Sequence, residues 1–152
     1  MAAETSKNMK TAQGMIELAT FNVGGALCGI DILSIQEINK HTEVTIVPQA
    51  PDYVKGVLNL RGKIVTIINL GKKLGLDPIT LGKDNRNIIV ESNEEQIGLF
   101  VESISDVLTA EFSRIEPPPS NIIGSQGRFF TGVLKTENKL IGILDIDKIL
   151  TE

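Results

Sequence analysis

The chain has 152 residues, 41% of them apolar and 22% charged, with five Phe, one Tyr and no Trp. A chain of this length buries roughly 68–70% of its unfolded surface, so one domain or two small lobes can form without disulfide or metal staples. Its composition, rich in Ile, Val and Leu, favours pleated sheet over disorder, and a net charge of −4 with pI near 5.1 argues against a nucleic-acid partner, which selects for a basic stripe.

Residues 1–14 (MAAETSKNMKTAQG) are polar and lack the apolar stretch of a signal peptide, so they are expected to be a disordered tail. No run approaches the roughly 20 apolar residues of a membrane helix, and a soluble cytoplasmic chain is expected. Apolar positions 16, 18, 19, 21 and 23 predict a strand over 15–23, Gly24-Gly25 a tight hairpin turn, and 26–32 the return strand. Ile32, Ile35 and Ile38 then recur every three residues, which predicts one or two helical turns over 32–38 with Asp31 as N-cap. A short strand is expected at 44–47, ended by Pro48. Strands at 54–60 and 63–70 flank Arg61-Gly62, and a helical tail over 71–76 stops near Asp77-Pro78. Further strands are predicted at 86–92, 97–102, 130–136 and 139–146, before a helical turn over 147–150. Asn93 to Gln96 form a polar hairpin loop, and the prolines and glycines of 113–129 announce an irregular one.

The pattern is duplicated. GVL at 56–58 and KIVTIINLGKKL at 63–74 return, shifted by 76 positions, as GVL at 132–134 and KLIGILDIDKIL at 139–150. Upstream, GIDILSIQEI at 29–38 returns, shifted by 69, as GLFVESISDV at 98–107, aligning Gly29 with Gly98, Ile35 with Ile104 and Glu37 with Asp106. Two echoes in the same order predict two similar β lobes, roughly 15–80 and 81–152. Short strands with tight turns suggest small closed barrels, since closure removes exposed sheet edges.

No catalytic or metal-binding pattern emerges, and no cofactor is expected. His41, the only histidine, lies in the polar stretch 39–43, and Cys28, the only cysteine, lies within a predicted strand, where a lone thiol packs as a small hydrophobe. GVLNLRGK at 56–63 fails as a phosphate loop, because five residues separate its glycines and Ile64 stands where a magnesium-binding hydroxyl is needed. The carboxylates are scattered without metal-ligand spacing.

A few residues stand out from a purely structural pattern. Arg61 at a hairpin tip is either a solvated turn charge or an interface anchor, and Asn59 beside it is equally suited to stabilising the turn. Gly56 and Gly132 occupy equivalent strand positions, required either by packing within a lobe or by a surface cleared for a partner. Ile35 suits the core or a contact surface, and Glu37 is an exposed charge.

VKGVLNLRGKIVTIINL (54–70), GIDILSIQEI (29–38), VESISDVL (101–108) and TGVLKTENKLIGILDIDKIL (131–150) resemble, in order, sequence blocks of the CheW family of chemotaxis adaptors. The resemblance spans residues 16–150 and implies a mainly β fold of two intertwined SH3-like five-stranded barrels with short helical turns, one domain over 15–152. It further implies a non-catalytic scaffold coupling transmembrane chemoreceptors to the histidine kinase CheA. The implied partners are the CheA regulatory domain and the cytoplasmic tip of methyl-accepting chemoreceptors, with no nucleic acid and no direct membrane insertion. The chain would then sit in the cytoplasm, held at receptor arrays through its partners. Ile35, Glu37, Gly56, Arg61, Gly98, Val107 and Gly132 map near partner surfaces by this resemblance, with receptor contact toward the groove between lobes and kinase contact on their outer faces. Thr66 and Asn69 depart from the Pro and Asp frequent in the family's strand. The alternatives are a CheW-like module of a CheA or CheV relative and, from another class, an SH3- or OB-like barrel that binds nucleic acid.

Overall fold

The computed structural model describes residues 14–118 and 124–151; apart from Gly14, the expected disordered tail lies outside the described residues, as does the 119–123 part of the expected 113–129 loop. The described residues form a mainly β chain. Its strands are β1 (Met15–Val23), β2 (Ala26–Asp31), β3 (Ile35–Asn39), β4 (Val54–Leu60), β5 (Lys63–Asn69), β6 (Arg86–Ser92), β7 (Glu95–Val101), β8 (Ser103–Glu111), β9 (Ile115–Glu116), β10 (Phe130–Lys135) and β11 (Leu140–Leu144). Short helices follow β5 (Leu70–Leu74) and β11 (Ile146–Thr151).

Two sheets result, ordered β8-β1-β2-β11-β10-β9 and β3-β6-β7-β5-β4. The duplication explains the resemblance between these orders. Gly29 and Gly98 equate β2 with β7, and the second echo equates β4 and β5 with β10 and β11. The hairpins β1–β2 and β6–β7 correspond, and so do β3 and β8. In repeat order both sheets then read third, first, second, fifth, fourth, with β9 added to one. Each sheet therefore joins the first two strands of one repeat to the last three of the other. The chain crosses from first sheet to second through a 3-10 turn at Ile32–Ser34 and returns at Glu102, whose amide donates to the Asn22 carbonyl.

The exchange is made at one parallel pairing per sheet. β2 runs parallel to β11 with Gly29 opposite Ile143, and β7 runs parallel to β5 with Gly98 opposite Ile67, the repeat equivalent of Ile143. Gly98 is buried where a side chain would collide with Ile67. A main core cluster includes Phe21, Cys28 and Ile30 of the first sheet together with Ile67, Ile88 and Leu99 of the second. A smaller cluster of Leu18, Ala110, Leu134, Ile141 and Ile143 belongs to the first sheet alone. At roughly 1.5–3 kcal/mol for each large side chain buried, the shared cluster is what holds the two sheets together.

The helices start alike. Asn69 Oδ1 accepts from the Lys72 amide at 3.1 Å and its repeat equivalent, Asp145, from the Lys148 amide at 3.2 Å, so Asn at 69 keeps the N-cap function. Gly75, left-handed at φ 69°, ends the first helix.

Three expectations need correction. Only Ile32–Ser34 of the 32–38 segment is helical, capped by Asp31 Oδ1 on the Leu33 amide at 2.9 Å. Residues Ile35–Asn39 form β3, and a register shift between Ile35 and Glu37 breaks the alternation, giving the apparent period of three. The 44–47 segment is not a strand but a single bridge, Thr45 to Val57, with Ile46 and Val47 exposed. Finally, β8 is a nine-residue strand where no strand is predicted beyond 102. It pairs only with β1 and exposes Ile104, Asp106, Val107 and Thr109, so its residues lack the alternation of a half-buried strand.

Gly56 and Gly132 sit at equivalent register shifts, and both are buried beneath a crossing backbone. An added Cβ would lie 2.6 Å from the Thr45 carbonyl oxygen at Gly56, and 2.7 Å from that of Glu116 at Gly132. Gly56 also has φ +154°, which side chains disfavour. Urea unfolding of Gly132→Ala is expected to show a loss of about 1–3 kcal/mol, and Gly56→Ala a larger one because strain adds to the clash. Stabilities equal to that of the unsubstituted chain would contradict these contacts.

Candidate interaction surface

β3 and β4 are the opposite edges of the second sheet, yet their side chains meet. Past β3 the chain reaches Thr45, which exchanges two backbone hydrogen bonds with Val57 of β4, at 2.9 and 2.8 Å. This curls the sheet so that Arg61 Nη2, in the β4–β5 turn, donates to Glu37 Oε1 on β3. Asn39 Nδ2 donates to the other Glu37 oxygen at 3.1 Å, and the buried Asn87 donates to Asn39 Oδ1 at 3.1 Å and to the His41 carbonyl at 2.8 Å. The seam is thus a polar chain running from the exposed guanidinium to the buried Asn87 amide.

The turn explains why an arginine can serve here. Arg61 and Gly62 have φ of 51° and 84°, the left-handed pair of a tight hairpin, and Asn59 Oδ1 accepts from the Gly62 amide at 3.0 Å. Asn59 therefore stabilises the turn. A non-glycine residue at positive φ costs on the order of 1–3 kcal/mol, while an exposed ion pair returns about 0–1 kcal/mol. Stability alone therefore does not account for Arg61, and its side chain is 72% exposed beside a Glu37 that is 25% exposed. Ile64, opposite Asn59 in β5, and Ile38, next to Glu37, are exposed too. Ile38 shares β3 with Glu37 and Ile64 lies in the strand that follows the Arg61 turn, and sequence reasoning missed both because isoleucines in strands read as core.

The other residues expected at partner surfaces do not gather at this seam. Ile35 is partly buried and packs against the main core beneath β3, whereas Gly56, Gly98 and Gly132 are buried. Val107 is 55% exposed on β8, at the edge of the first sheet.

Between the sheets lies an apolar groove of about 470 Å³, lined by Ala26, Leu27 and Cys28 of β2, Leu74 of the helix after β5, Leu76 just beyond it, and Phe130 of β10. Burial pushes the Cys28 thiol up to about 12, so the thiol on the groove wall is neutral and unactivated. The repeat equivalents of Asn22, Leu27 and Ser105 in this groove are Glu91, Gln96 and Gln36. These are joined by hydrogen bonds, Gln36 Nε2 to Glu91 Oε1 at 3.1 Å and Gln96 Nε2 to Gln36 Oε1 at 2.8 Å. The pseudo-symmetric counterpart is thus polar and self-satisfied, and the two sides of the molecule present different chemistry. His41 is exposed in a loop, and among the described residues no three His, Cys, Asp or Glu side chains come together as a metal site.

The hydrogen bond from Arg61, then that from Asn39, holds the Glu37 carboxyl below its ordinary value. A depressed folded-state value means that Glu37 stabilises the fold above the ordinary glutamate range, near 4.3, and that this contribution is lost as pH falls through the lowered value. Carboxyl-carbon NMR is expected to show Glu37 titrating below an ordinary glutamate, and Arg61→Gln to move its midpoint upward. An unmoved midpoint would mean that the pair does not form in solution.

Comparison with known proteins agrees with this architecture. The family model described as CheW-like domain matches residues 17–152. The chemotaxis protein CheW of Klebsiella aerogenes is 33% identical over 135 residues, covering 89% of this chain and 81% of that protein. The chemotaxis protein CheW of Thermotoga maritima is 29% identical over 146 residues, covering 96% and 95% respectively. Among solved structures, the scaffolding protein TtCheW from Thermoanaerobacter tengcongensis superposes with a TM-score of 0.84 at 32% identity, covering 90% of this chain and 88% of that one. The chain, with its two strand-exchanged sheets, belongs to the family of the CheW-like domain.

Proposed function

We propose that the chain is a chemotaxis scaffold that couples chemoreceptors to the histidine kinase CheA, without catalytic activity of its own. The observation that carries this reading is the near end-to-end match to scaffolding and chemotaxis relatives of the same fold, in which the chain accounts for most of each relative's length. Local chemistry supports it. A buried neutral thiol and an exposed loop histidine offer no nucleophile–base pair, while the second-sheet seam presents an exposed arginine and its strands β3 and β5 carry exposed isoleucines, a composition suited to protein contact. No described helix is long and apolar enough to cross a membrane, and we place the chain in the cytoplasm, reaching receptor arrays through its partners.

In this reading residues 15–152 act as one domain whose two sheets are its lobes. The CheA regulatory domain takes outer faces, including the seam around Glu37 and Arg61, and the receptor tip takes the groove between sheets and the neighbouring β8 edge with Val107. Ile35, Gly56, Gly98 and Gly132 serve these surfaces from beneath, by holding the strands that present them. Signal passes as a coupling free energy, because contacts that differ between kinase-on and kinase-off assemblies bias one by the other.

Reconstitution with a receptor cytoplasmic fragment and CheA tests the proposal. The chain is expected to co-sediment with the receptor fragment, bind the isolated regulatory domain and raise kinase activity in the ternary mixture. Arg61→Glu sets like charges together at the seam and is expected to weaken regulatory-domain binding by about tenfold or more, with an unchanged circular-dichroism spectrum. A chain that binds neither protein would remove the scaffold reading.

A further inference from the structure

The two seams are built alike and charged differently. In the second sheet, β3 carries Glu37 and the β4–β5 turn carries Arg61. Their repeat equivalents in the first sheet are Asp106 on β8 and Glu137 in the β10–β11 turn. The structure fixes this equivalence independently of the sequence echo. The register shift at Ile35/Glu37 opposite Val90 and Ile89 recurs in β8 opposite Phe21 and Ala19. The paired residues Leu60 and Lys63 flanking Arg61-Gly62 correspond to Thr136 and Lys139, whose backbones are joined at 2.9 Å around Glu137-Asn138. Where one seam has an acid clasped by a guanidinium, the other has two acids.

Asp106 and Glu137 line one notch of about 300 Å³, together with Thr20, Leu27, Leu108 and the 136–139 turn. Both are exposed, and among the described residues neither carboxylate holds an ion pair. Lys139 also lines the notch, but its ammonium pairs with neither acid. The occupied twin shows what such a seam takes, since its carboxylate is filled by a planar guanidinium. Leu27 and Leu108 also line the notch, so its walls are partly apolar. A divalent cation would need six or more oxygen ligands, whereas one guanidinium carries five donors able to bridge two carboxylates.

We propose that the first-sheet seam is a docking notch for an arginine side chain of a partner protein, which does in trans what Arg61 does within the second sheet. The partner surface it fits is basic at its centre and apolar around it. The proposal deepens the scaffold reading and rests on it for the partner's identity, though not for the notch.

The test uses Glu137→Arg, which copies the second-sheet pair by supplying a guanidinium to Asp106, with the CheA regulatory domain and the receptor fragment as separate probes. The variant is expected to fold, to melt no lower than the unsubstituted chain, and to lose at least about tenfold in affinity for one probe, since it repels the incoming arginine. Glu137→Gln is expected to lose less. Undiminished affinity of Glu137→Arg for both probes would overturn the notch while leaving the scaffold reading intact. If the unsubstituted chain binds neither probe, the scaffold reading falls and the notch is judged on arginine amide alone. Saturable movement of the Asp106 and Glu137 carboxyl-carbon resonances, absent with glutamine amide and in Glu137→Arg, then upholds it. Failure of those resonances to move, or an equal response to magnesium ion, overturns it.

Discussion

Everything in this fold hangs on the two parallel pairings, β2 with β11 and β7 with β5. A parallel pair cannot be closed by a tight turn, because the chain must travel the length of the sheet before it can run in the same direction again. Here no crossover helix spans a sheet face among the described residues. The partner strand arrives instead from the other repeat, having left after a hairpin and come back after a long excursion. Glycine stands at one position of each pairing: Gly98 lets the facing Ile67 into the space that a side chain would fill, and Gly29 lets Ile141 of the partner strand come within 3.2 Å of that space. The shared core then forms from residues that neither repeat could bury alone.

That arrangement explains which parts of the fold were legible in the sequence. The repeat was legible because the same close approaches recur, and they impose glycines and isoleucines at fixed spacing. Hairpins β1–β2, β4–β5 and β6–β7 were legible because turn chemistry and strand alternation are local. Intertwining was implied by the family resemblance, but which strands exchange was not legible, since nothing local says which β2-like strand a β11-like strand will join. Strand β8 was illegible for another reason. It lies at a sheet edge with much of its surface in water, and so lacks an apolar period. The bulge in β3 imitated a helical one.

The candidate site divides in the same way. Arg61 was conspicuous as a charge at an apolar hairpin tip, and Glu37 as an exposed acid, but their pairing depends on the curl that Thr45 gives to the sheet. The equivalence of Gly56 and Gly132 was visible, and their choice between packing and partner surface was decided only by the carbonyls of Thr45 and Glu116 above them. Ile38 and Ile64 went unnoticed because an isoleucine in a strand is read as core until its exposure is known.

The two crossings, at Ile32–Ser34 and Glu102, also impose an order in time. Residues 35–101 contain every strand of the second sheet, so that sheet is complete as a contiguous stretch once β7 has been synthesised. The β1–β2 hairpin is made first but keeps two open edges until β8, β10 and β11 emerge. Strands β1 and β2 therefore wait longest for their neighbours, and β8 and β11, made after the second sheet is complete, are the ones that close the first. Loss of the C-terminal strands would strand the earliest ones, exposing hairpin edges that are prone to pair with another chain.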